Sequence, residues 1–187
     1  MTTMTDAEFL AIARSNPVNR ELERRLAALG LPEGHLVAGC LFQAVWNQRS
    51  GRPADWGVKD YDVFYFDAAD TSWEAEDRVI AQVAEATADL GVEVELRNQA
   101  RVHLWYEKRF GAPYPQLHSA CDGIDRYLVT CTCVGIELAS GALYAPNGLH
   151  DLAEGRLAPN PLNPLTERFT EKAESYRARW PWLTVVA

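Results

Sequence analysis

The chain has 187 residues, 48% hydrophobic and 24% charged, the proportions of a soluble globular protein; this argues against disorder and removes any need for a disulfide or metal staple. It carries 18 Lys and Arg against 26 Asp and Glu, a net charge of −8. Polynucleotide binding draws most of its affinity from neutralised phosphates, so the balance favours a small-molecule or protein partner over a long nucleic acid.

In chain order, residues 5–15 and 17–29 read as helices. Phe9, Ile12 and Ala13, then Leu22, Leu26 and Leu29, recur at helical spacing, and Gly30 stops the second. Leu36, Val37 and Ala38 form a short strand running into Gly39, and a helix follows over 41–48. Residues 49–57 hold Gly, Pro and Asp and read as a loop. The aromatic, β-branched run 59–67 is a strand. Thr71 and Glu74 form a capping-box pattern for a helix reaching Leu90, with Gly91 as its stop. Strict alternation over 92–97, VEVELR, gives another strand. Asn98 caps a helix through Arg109, ended by Gly111. A short helix near 119–127, a long strand over 130–138, a short strand over 142–144 and a closing helix over 165–179 complete the chain. Helices first, then interleaved strands and helices, then a hairpin describe an α/β (α+β) fold, a mixed β-sheet packed with helices.

The opening MTTMTDAEFL lacks the basic start and apolar stretch of a signal peptide. No apolar run approaches the ~20 residues of a membrane span. Cys40, Cys121, Cys131 and Cys133 form no CxxC pair and read as reduced thiols, the last two as small core residues. The expectation is a cytoplasmic chain without a membrane partner.

Three features could carry chemistry. Asp60 and Asp62 stand two apart on an aromatic strand and so share a face. Two like charges on a buried strand need a cation, and oxygen ligands suit Mg²⁺ or Mn²⁺; a strand end dipping into solvent fits the same spacing. Glu93 and Glu95 share one face of their strand opposite Val92, Val94 and Leu96, which fits either a third metal-facing carboxylate or a wet edge strand. Gly39 and Cys40 open a helix where free N–H groups can hold phosphate, although a glycine there also serves as a tight turn.

These segments, AGCLFQAVWNQRSGRP, VKDYDVFYFD, ELRNQARVHLWYE, YAPNGLHDL and RWPWL, together resemble the nucleotidyltransferase superfamily of polymerase-β-like fold. Within it they are similar to the bacterial group labelled nucleotidyltransferase family 6. The resemblance runs from about residue 36 to the C-terminus. It implies a nucleotidyltransferase-like domain over 1–187: N-terminal helices (1–35), a catalytic core (36–158) and a closing loop and helix (159–187). It implies metal-holding and catalytic roles for Asp60, Asp62 and Glu95, and nucleotide contacts at Gly39 and Cys40. Arg101 and His103, on the following helix, become candidates for phosphate or acceptor contacts; a packing role for His103 fits as well. The implied reaction is Mg²⁺- or Mn²⁺-dependent transfer of a nucleoside monophosphate from an NTP to a hydroxyl of a small-molecule or protein acceptor. The competing reading is a catalytically weak nucleotide-binding or regulatory module of the same fold. Cys40 departs from the usual Ser or Gly, and the long 49–57 loop is a lid candidate.

Overall fold

The structure is a computed structural model and describes residues 4–186. Helix α1 (Asp6–Ala13) begins at a capping box in which Thr5 and Glu8 satisfy each other's backbone N–H. Helix α2 (Pro17–Ala27) begins with Asn16 accepting from Val18 N and with Pro at the first turn, where its missing N–H costs nothing. Asn19 ties the two helices to the next layer: its amide donates to Ala13 O and Cys40 O at 2.8 and 2.9 Å.

Strand β1 (His35–Val37) is wholly buried at the centre of a five-stranded sheet. Helix α3 (Gly39–Arg49) follows and is buried from Cys40 to Asn47, with protein on every side and the amides of Gln43 and Asn47 buried along with its apolar residues. Strand β2 (Asp60–Tyr65) pairs antiparallel with β1; α4 (Trp73–Thr87) then crosses over to β3 (Glu93–Asn98), which pairs parallel with β2. On the other flank lie β4 (Gly135–Glu137) and β5 (Leu143–Tyr144). The sheet is mixed, in the order β3-β2-β1-β4-β5, with β3 at one edge.

Three expectations on local structure are corrected. Ser72, not Thr71, caps α4: its hydroxyl accepts from Ala75 N at 3.2 Å, while the Thr71 carbonyl is taken by the Arg101 guanidinium. The segment expected as one helix after Asn98 splits into a 3₁₀ stretch, Gln99–Leu104, and α5 (Tyr106–Phe110). The expected long strand over 130–138 opens instead as a 3₁₀ turn, Thr130–Thr132. There the Thr132 hydroxyl donates to Val129 O at 2.7 Å, a local bond that competes with the ladder. Cys131 and Cys133 are nevertheless buried.

Helix α6 (Ala120–Ile124) and helix α7 (His150–Glu154) precede a small parallel pair, β6 (Arg156–Leu157) with β7 (Thr184–Val185). Helix α8 (Thr166–Arg179) buries Phe169, Ala173 and Tyr176. Trp180 and Trp182 anchor the chain after it, their indole N–H groups donating to Asn47 Oδ1 and Ser50 Oγ, each at 2.9 Å. The loop after α3 is pinned to the same corner. Asn47 donates to Ala54 O and Trp56 O, and Arg52 donates to Arg179 O while stacking on Trp56. That loop, the lid candidate, lines no part of the cleft described next and is held against the end of α8. Among the described residues no helix is long and apolar enough to cross a membrane.

Candidate active site

Alternation along β2 sends Tyr61, Val63 and Tyr65 into the core and turns Asp60, Asp62 and Phe64 to the other face. The parallel register sets Asp60 beside Glu93, Asp62 beside Glu95 and Phe64 beside Arg97. Strand β1 is in antiparallel register, with Val37 opposite Asp62. The chain leaves Val37 through Ala38 and enters α3, so the start of that helix lies next to the carboxylates.

A cavity of about 470 Å³ opens here. Ala38, Gly39, Asp60 and Asp62 form its floor. Its far wall is aromatic: Tyr106 packs on Tyr114 and Phe110 with ring centroids 4.3 and 4.7 Å apart, and Tyr127 stacks on Phe64 at 5.9 Å. Arg97, Arg126, Arg168 and Lys172 supply positive charge around it. Arg168 and Lys172 stand four apart on α8 and therefore share a face.

The electrostatics centre on Asp62. Burial, then repulsion from Asp60 and Glu95, raises its pKa to about 7; Lys172 and Arg97 oppose the rise. Helix α3 starts without a side-chain cap, and Ala38 and Gly39 at its start line the cleft, at the positive end of the helix dipole. Ala38, at φ 63° and ψ −136°, holds the left-handed backbone of this turn without being glycine.

The sequence candidates separate. Asp60, Asp62 and Gly39 come together in the cleft. Glu95 lies in register with Asp62 but its half-exposed side chain leans to Arg97, at 3.5 Å. Cys40 points away: its thiol is fully buried, donates to Val37 O at 3.4 Å and is pushed well up in pKa by that burial. Arg101 is buried too, paired with Glu76, donating to Thr71 O and standing over the Trp73 ring. His103 lies outside the cleft lining, with its Nδ1 buried and without a partner. The cause is the 3₁₀ winding, in which positions three apart share a face; Gln99 and Val102 therefore reach the cleft, and Arg101 and His103 do not.

Sequence reasoning missed the aromatic wall, Arg126 and Lys172. The wall was signalled by the density of aromatics in LWYEKRFGAPY. Lys172 carried no signal beyond its i,i+4 spacing from Arg168.

Among the described residues no three His, Cys, Asp or Glu side chains converge as a ready metal site. The chemistry of the pair Asp60 and Asp62 still fits a divalent cation: two carboxylate oxygen donors, one of them buried and destabilised as an anion, face one cavity.

Fold and cleft together define a nucleotidyltransferase-type transferase. The nucleotidyltransferase family model matches residues 24–185, and the chain belongs to that family, nucleotidyltransferase family 6. Its class is that of enzymes that move a nucleoside monophosphate. Among solved structures, an NMR structure described as revealing a CCA-adding enzyme head domain is 26% identical; the match covers 97% of this chain and 96% of that one, with a TM-score of 0.72. The Thermotoga maritima CCA-adding enzyme complexed with tRNA is 14% identical with a TM-score of 0.56, and a CCA-adding enzyme complexed with ATP is 17% identical with a TM-score of 0.52. This chain is covered fully in both, but spans only 44% and 43% of those longer proteins, so they share its fold. No curated protein matches the chain by sequence.

Proposed function

We propose that the protein transfers a nucleoside monophosphate from an NTP to a hydroxyl of a small-molecule or protein acceptor, with Mg²⁺ or Mn²⁺ held by Asp60 and Asp62. The observation that carries this reading is the pair of carboxylates on one face of β2, next to the uncapped start of α3, in a cleft ringed by Arg126, Arg168 and Lys172. A bound divalent ion there supplies charge neutralisation at the triphosphate.

The protein's own groups divide the remaining work. N–H groups of Gly39 and Cys40 hold phosphate oxygens at the helix start. Lys172 and Arg168 offset charge on the leaving pyrophosphate, and the aromatic wall takes the base by stacking. The acceptor oxygen bonds to the α-phosphorus, the α–β phosphoanhydride bond breaks, and pyrophosphate leaves with the bonding pair. Glu95, one strand over from Asp62, receives the hydroxyl proton after turning from Arg97. The lean of Glu95 toward Arg97 is also the observation that favours the second reading, a nucleotide-binding module with weak turnover.

The test incubates the protein with each of the four NTPs and Mg²⁺ or Mn²⁺, reading pyrophosphate release and mass gain on protein or added acceptor. Release that disappears in Asp62→Asn, with unchanged circular dichroism, supports transfer. Metal-dependent NTP binding without release in any condition selects the binding module.

A further inference from the structure

A second cavity of about 570 Å³ lies past the edge strand β3, between α4 and α5. It meets the first across Arg97 and Trp105, which line both. Its size suits one small molecule. Its walls and its charge define the chemistry it would accept.

Its walls are apolar and flat. Trp73 is 58% exposed, large for a tryptophan, and has one face covered by the Arg101 guanidinium at 4.7 Å from the ring centroid. Arg101 is itself held by Glu76 and Thr71 O, so the indole rests on a fixed base with its other side open. Trp105 and Ile80 complete the apolar lining.

Its free charge is positive. Lys108 and Arg109 are exposed at its rim and make no ion pair among the described residues, whereas Arg97, also in the lining, is paired with Glu95 at 3.5 Å. The single acid in the lining, Glu76, is spoken for: one oxygen accepts from Asn98 N at 2.8 Å and the other pairs with Arg101. On a chain of net charge −8, this is a local reversal of sign.

We propose that this groove is a second ligand site, taking a small anion with a planar apolar body: an aryl carboxylate or aryl phosphate stacked on Trp73 with its charge toward Lys108 and Arg109. On the nucleotidyl-transfer reading above, on which this role rests, the occupant is the acceptor. Its hydroxyl would enter the cleft past Arg97, beside Glu95. Occupancy by a small molecule is favoured over a nucleic-acid strand because two unpaired cations at one mouth match a single anionic group, and the chain as a whole carries a net charge of −8.

The experiment titrates 3-hydroxy-2-naphthoate, a fluorescent planar carboxylate, into the full chain without NTP or metal. The same titration is run with neutral 2-naphthol, with a ten-nucleotide single strand, and with Lys108→Glu/Arg109→Glu, whose two positions are exposed and do not line the cleft. The expected result is tighter binding of the naphthoate than of 2-naphthol, and about a tenfold or greater loss in the double variant. ATP affinity is unchanged by the variant, and saturating ATP leaves the naphthoate bound. Equal affinity in wild type and variant overturns the site. Displacement by ATP overturns it as well, since the probe then occupies the cleft. Tighter, variant-sensitive binding of the single strand overturns the small-molecule assignment in favour of nucleic acid. If ATP fails to bind while the naphthoate binds with the expected charge dependence, the anion site stands and the nucleotidyl-transfer reading falls.

Discussion

Asp62 and Glu95 occupy paired positions on adjacent parallel strands, so two acids stand side by side on one face of the sheet, with Asp60 a further step along β2. In-register neighbours lie about 4.8 Å apart across a ladder. Their mutual repulsion adds to burial in holding the Asp62 proton to a pKa of about 7. An apo protein therefore carries a destabilised carboxylate that a cation would relieve.

That relation has a pH signature. Between the unfolded value near 4 and the folded value near 7 the native state holds the extra proton, so stability contributed at Asp62 is present at low pH and lost as pH rises. Asp62→Asn cannot ionise and escapes this loss. Thermal melts of apo protein will show the variant more stable than wild type at pH 8, by up to a few kcal/mol, and the difference shrinking toward pH 5. Equal differences at both pH values would contradict the assignment.

Ala38 at φ 63° is the second candidate for a stability change. Glycine there relieves backbone strain of about 1–3 kcal/mol, partly offset by the extra entropy of an unfolded glycine. Ala38→Gly is expected to stabilise by about 1 kcal/mol, read as a higher midpoint in urea at unchanged slope.

Arg101 offers a way to separate packing from substrate contact. Removing it leaves Glu76, 3% exposed, without its cation. Arg101→Ala should lose about 3–5 kcal/mol of unfolding free energy. MgATP affinity of the folded protein, measured by calorimetry at low temperature, should be unchanged.

Lys172 faces the cleft and favours the ionised form of Asp62. In Lys172→Ala that carboxyl becomes harder to ionise. The midpoint of Mn²⁺ binding against pH, followed by Mn²⁺ electron paramagnetic resonance, should move to higher pH, and MgATP affinity should fall by about tenfold.

The thiols differ in access. Cys40, Cys131 and Cys133 are buried, whereas Cys121 is half-buried, contacts His35 Nε2 at 3.8 Å and has its pKa raised to about 11 by desolvation. Iodoacetamide at pH 8 should label Cys121 alone and slowly, because only on the order of 0.1% is thiolate there. Mass spectrometry should find the other three labelled only after unfolding.

Much of this was legible in the chain itself. The period-2 pattern of KDYDVFYFD and VEVELR set which residues face the core and which face the cleft, since side chains alternate on any strand. The Val37–Gly39 junction announced a strand running into a helix start. What the sequence could not decide was pairing and winding. Only the parallel register of β2 and β3 puts Glu95 beside Asp62, because strand pairing joins residues 33 positions apart through backbone groups that every residue shares. Only the tertiary contacts of Arg101 with Glu76 and Thr71 accompany the 3₁₀ winding after Asn98, which exchanges Arg101 and His103 for Gln99 and Val102 at the cleft. Arg126, the α8 cations Arg168 and Lys172, and the aromatic wall likewise come to the cleft of Asp62 through folding alone: local periodicity records which face of a segment is apolar, but not which distant segment it will meet.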